Sequence, residues 1–134
     1  MRKASRRTTA AAALAALLYA GSGIASRPSL NECFEGSDFI VNAALSRDAG
    51  MSSEAFISRM EDDFVTIQAF PSELRWFVHD ADDEEFLLEA ARDVFAHPYA
   101  PEIHRRAFLQ ACAERMASVA RDERAARIPG AAAQ

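Results

Sequence analysis

Six carboxylates crowd one stretch of this chain, at Asp80, Asp82, Asp83, Glu84, Glu85 and Glu89, immediately after His79. Such a run could hold a divalent cation, because calcium takes several carboxylate oxygens from a single loop. An EF-hand loop starting at Asp80 would need glycine where Glu85 stands and glutamate where Ala91 stands, and neither is present. The run suits the start of a helix better, since the free N–H groups and the dipole there favour negative charge. His79 and Asp80 are the two residues that a hydrolase reading would use, as an acid–base pair. His79, His97 and His104 do not have the spacing of metal ligands, although the last two, seven apart, are compatible with a shared face. The sequence contains no GxSxG, phosphate-binding loop, HExxH or haem-attaching CxxCH. The expectation is a protein without catalytic activity, metal or cofactor.

The two cysteines, Cys33 and Cys112, are the other reactive groups, and the start of the chain sets how they are read. Arg2, Lys3, Arg6 and Arg7 precede an uncharged, alanine-rich run from Ala10 to Ala20, then Gly23-Ile24-Ala25. A basic start, a short apolar segment and a small-x-small site predict a cleaved export signal over residues 1–25. The apolar run is too short to span a bilayer, so no stable membrane insertion is expected after cleavage. In the periplasm or outside the cell two cysteines form a structural disulfide, here joining residues far apart in sequence. The chain carries 15 basic and 20 acidic residues. Cleavage would remove four of the basic ones and leave a net charge of −9, which argues against nucleic acid as a partner.

The elements that must position these groups are helical. Ser29 and Glu32 form a capping box for a first helix running to about Ala49, with Leu30, Cys33, Phe34, Ser37, Val41, Ala44 and Leu45 at helical spacing and Ile40 beside them. Gly36 inside it predicts close approach by a neighbouring helix. Ser52 caps a second helix striped by Phe56, Ile57, Met60, Phe64 and Ile67, which Pro71 ends. A short helical piece follows from Ser72 to about His79. Asp82 and Glu85 read as the capping pair of the next helix, and Pro101 as the first residue of the last. The expected fold is all-α: a compact bundle of four helices plus one short helix, within a domain of residues 26–120. Residues 121–134 are expected to form a flexible tail.

Two further groups are candidate sites. Arg47, Asp48 and Gly50 make a structural corner: arginine suits a helix C-terminus, aspartate needs a partner there, and glycine tolerates the left-handed turn. Phe70, Arg75, Trp76 and Phe77 have the composition of an interface anchor, and equally of a core. The early cysteine, the Arg-Asp-x-Gly corner and the late cysteine resemble small exported proteobacterial helical proteins of unknown function. In size, class and disulfide topology the chain also resembles acid-stress chaperones of the HdeA type. The first resemblance implies no activity; the acidic balance and the compact, disulfide-stapled form fit a protein-interaction module of immunity or inhibitor type with a basic protein partner. An acid-stress periplasmic chaperone and a secreted hydrolase are the alternatives.

Overall fold

Helices α1, α2 and α3 each start where a side chain takes up a free N–H group, and α4 starts with a proline, which has none to satisfy. The computed structural model of the chain describes residues 28–128; the expected export signal and the last six residues lie outside them. Helix α1 spans Leu30–Asp48, and its capping box is complete: the Ser29 hydroxyl accepts from the Glu32 N–H, and the Glu32 carboxylate accepts from the Ser29 N–H. Helix α2 spans Ser53–Ile67 behind Ser52, whose hydroxyl accepts from the Ala55 N–H. Helix α3 spans Ala81–Ala96, and here the expected cap is corrected. Asp80, not Asp82, holds the N-cap position and accepts from the Asp83 N–H. Helix α4 spans Pro101–Arg127 with proline in its first turn, so it continues seven residues past the domain edge expected at 120. No strand occurs among the described residues.

Helix α1 is the spine: α4 and α3 both pack on it, and α2 packs on α3. The disulfide Cys33–Cys112 (Cα–Cα 5.9 Å), the Gly36–Phe108 contact and the Asp38–Arg105 ion pair show that α1 and α4 run antiparallel. A Cβ on Gly36 would lie 2.7 Å from the Phe108 ring, so glycine is what lets these helices meet. An aromatic chain fills the space between the helices. It runs from Phe95 through Phe56, Phe39 and Trp76 to Phe77, then to Phe86 and Phe108, with successive centroids 5.3 to 6.1 Å apart. Phe77, Leu87 and Val94 at its flanks are fully buried, each contributing about 2 kcal/mol by loss of apolar surface.

The segment between α2 and α3 departs from expectation. Only Ser72–Leu74 forms a helical turn, of 3₁₀ type. Trp76 then takes φ of +48°, a left-handed conformation that costs a bulky residue on the order of 1–2 kcal/mol. Arg75 holds the turn closed by donating to the carbonyls of Phe70 (2.7 Å), Gln68 (3.1 Å) and His79 (3.4 Å). The reversal sends Trp76 against Phe39 and Phe77 into the core.

Candidate functional site

The acidic run and His79 meet in a polar seam between the starts of α1 and α3 and the middle of α4. His79 places Nε2 2.5 Å from a Glu32 carboxylate oxygen and Nδ1 2.8 Å from the Ser72 carbonyl. The Ser72 carbonyl can only accept, as can Glu32 when ionised, so these contacts favour the doubly protonated, charged ring. Burial opposes that charge, yet the hydrogen bonds to Glu32 and Ser72 and the charges of Glu32 and Asp83 outweigh it and raise His79 above 6.5. For Glu32 burial likewise opposes ionisation, but bonds from the Ser29 N–H, His79 and the Ser29 hydroxyl lower it below 4.5. Asp83 is 1% exposed and takes bonds from the His79 N–H (2.9 Å) and from Arg115 (2.5 Å). Burial is the stronger influence on it and raises its carboxyl above 3.8 despite those bonds.

This geometry bears on the hydrolase candidates. The carboxylate facing His79 belongs to Glu32, 47 residues away, while Asp80 uses its own to cap α3. An imidazolium with both N–H groups bonded to fixed protein acceptors has neither a lone pair to take a proton nor a free proton to give. The seam is a tether joining α1, α3 and, through Asp83, α4. No group of three or more metal-ligating side chains occurs among the described residues.

The corner at Arg47 is a second tether. Its guanidinium donates to the carbonyls of Val94 (2.7 Å), His97 (3.1 Å) and Tyr99 (2.8 Å), and to Asp48 (2.9 and 2.8 Å). A cation thereby joins the C-terminal ends of α1 and α3, where carbonyls concentrate negative potential. Gly50, at φ of +95°, turns the chain toward α2. Beside the corner, Asp93 lies between two histidines: one oxygen is 2.8 Å from His97 Nδ1 and the other 3.7 Å from His104 Nδ1. His104, 3% exposed, directs Nε2 to the His97 carbonyl at 2.8 Å.

Of the four candidate interface residues, Phe77 is core, Trp76 is packed against it, and Arg75 is engaged by its own loop. Phe70 alone is largely exposed, at 51%. The structure divides the helical spacing of α1 in two and adds a cavity. The buried face of α1 is Cys33, Gly36, Ser37, Ile40, Ala43 and Ala44. Leu30, Phe34 and Leu45, which the helical spacing placed inside, are 60%, 50% and 53% exposed. The cavity, of about 220 Å³, lies where α3 and α4 diverge, with Glu89, Asp93 and His104 in its lining. The i, i+4 spacing of Glu89 and Asp93 on one helix was its signal in the sequence.

Comparison of the chain with protein-family models, with curated proteins and with solved structures gave no match. No described helix is long and apolar enough to cross a membrane.

Proposed function

We propose that this chain is an exported, non-catalytic protein-binding module of inhibitor or immunity type, with a basic partner. The observation that supports it most is the stripe of Leu30, Phe34 and Leu45 on the outer side of α1. Their spacing of four and eleven residues, with the partly exposed Val41 between, puts them along one line of the helix. That line is fixed in place by the disulfide at one end and Arg47 at the other. Exposed apolar side chains gathered on a rigid element and rimmed by polar groups, here Asn31, Glu35 and Asp38, suit a protein interface. The acidic balance of the chain favours a basic partner through steering. The occupied nitrogens of His79 favour this reading over a hydrolase.

The test is a pair of surface variants, Phe34→Glu and Leu45→Glu, used beside the unaltered protein to capture partners from envelope extract. Both variants should melt within a few degrees of the parent. A protein retained by the parent and by neither variant would support the reading. A partner held equally by all three would place the interface elsewhere.

The acid-stress chaperone is the second reading, supported by the Glu32–His79 link. Acid protonates Glu32 and removes one tether between α1 and the segment before α3, where opening would uncover Phe77 and Trp76. Client binding that begins only upon acidification would favour it over the first reading.

A further inference from the structure

The backbones of α3 and α4 stay apart and the helices meet through side chains, Phe86 on Phe108 and Asp83 on Arg115, which leaves a cavity of about 220 Å³ between them. Its walls are apolar: Ile40 from α1, Phe86 and Ala90 from α3, and Phe108, Ala107 and Ala111 from α4. Two alanines one turn apart on α4 are what keep the space open. The polar lining is one-sided in charge, consisting of Glu89, Asp93 and His104. Glu89 makes no hydrogen bond or ion pair among the described residues. Asp93 has one oxygen on His97 and turns the other toward His104 Nδ1, too far away at 3.7 Å to bond. His104 is buried, with Nε2 2.8 Å from the His97 carbonyl and 3.4 Å from an Arg47 nitrogen, and its Nδ1 faces Asp93. The nearby cations are already neutralised, Arg47 by Asp48 and Arg115 by Asp83.

We propose that this cavity is a binding site for a small organic cation, an ammonium carried on a short aryl or alkyl body. The body would fill the space between Ile40, Phe86 and Phe108, and the ammonium would donate to Glu89 and to the Asp93 oxygen that faces His104 at 3.7 Å. The volume is below that of drug-sized pockets, which restricts the ligand to roughly ten heavy atoms. Glu89 and Asp93 lie open to water on their outer sides, so the ammonium need not be fully stripped of solvent to reach them. The site is separate from the α1 stripe and does not depend on it.

The probes are 2-phenylethylammonium, the neutral 2-phenylethanol and the anionic 3-phenylpropionate, titrated into the oxidised protein while the Ile40 methyl and Phe86 ring resonances are followed. The cation should bind about tenfold more tightly than the alcohol, the order expected of one charge-assisted hydrogen bond, and the anion more weakly than either. Glu89→Gln with Asp93→Asn should erase the preference for the cation while leaving weak binding of the alcohol. Ala107→Trp, on the exposed rim, should block all three probes and leave the melting temperature near that of the parent. Equal affinity for cation and alcohol would overturn the proposal. So would cation binding that survives Ala107→Trp, or the absence of shifts at Ile40 and Phe86.

Discussion

Replacing Arg47 with methionine keeps an unbranched stem of similar reach and removes every hydrogen bond of the guanidinium. The bond to Val94 is partly buried, whereas those to His97 and Tyr99 lie at the surface, where water can replace the donor. His97 also keeps its bond from His104. The buried bond to a charged donor is worth about 1.5–3 kcal/mol, and the two outer ones add a few tenths each. Asp48 would stand alone at the α1 C-terminus, costing about 0.5 kcal/mol more. The expected loss is therefore about 3 kcal/mol, or roughly 12–24 °C in melting temperature for a domain of this size. Arg47→Lys should fall midway, because one ammonium cannot span three carbonyls and a carboxylate. Urea unfolding followed by the fluorescence of Trp76, the sole tryptophan, gives the midpoint and slope for each variant. A methionine variant within about 0.5 kcal/mol of the parent at unchanged slope would refute the reasoning, as would a lysine variant equal to arginine.

Four further outcomes test the fold. Glu32, lowered, contributes stability that is full above 4.5 and lost as pH falls through its folded value; His79, raised, contributes fully below 6.5 and loses it as pH rises through its own. Their joint contribution therefore peaks between 4.5 and 6.5, and His79→Gln should flatten the alkaline limb of urea midpoints measured from that plateau upward through 6.5 and beyond. Asp83, raised by burial, works the opposite way and softens the acid limb, so Asp83→Asn should leave that limb steeper. Reducing Cys33–Cys112, separated by 79 residues, should cost about 4 kcal/mol in the chain-entropy account, read as a fall in melting temperature with dithiothreitol. Gly36→Ala gains about 1 kcal/mol of helix propensity but forces a methyl to 2.7 Å from Phe108, so a net loss of about 1–2 kcal/mol is expected, with Phe108→Leu recovering part of it in the double variant.

The caps at Ser29 and Ser52, the glycine approach at Gly36 and the turn at Gly50 were readable because each depends on residues a few positions apart. The shift of the α3 cap to Asp80 was harder to see, because Asp80 and Asp82 are equally good caps and the choice lies with Asp83, drawn inward by Arg115 from 32 residues away. Periodicity alone could not say which side of α1 faces inward. Its small face of Gly36, Ser37, Ala43 and Ala44 is buried because α3 and α4 come close there, while the larger Leu30 and Leu45 stay outside. The loop from Ser72 to His79 defied a local reading altogether. Its helical pattern is overridden by the left-handed Trp76, which the Arg75 bonds to three carbonyls and the packing of Trp76 on Phe39 and of Phe77 on Phe86 and Phe108 stabilise together. The partner of His79 was equally hidden, since Glu32 had already been assigned to the capping box and serves both roles with its two oxygens.

Most groups that could do chemistry in this domain are occupied in holding helices together, and that division locates where binding can occur. Glu32, His79, Asp83 and Arg115 form one tether, Arg47 and Asp48 another, and each would lose its structural bonds if a ligand engaged it. Outside these tethers lie the outer stripe of α1 and the apolar walls of the α3–α4 cavity with Glu89. They lie on different sides of the same helix: Phe34 and Leu45 point outward, whereas Ile40, a cavity wall, is 1% exposed on the inner side. With no shared side chain and a rigid helix between them, the two surfaces should act independently. Phe34→Glu should accordingly leave affinity for 2-phenylethylammonium unchanged within about twofold, and saturation with the cation should not alter partner capture. A coupling larger than that would mean that α1 shifts between two positions on the core, and the disulfide-tied spine described above would then be only one of them.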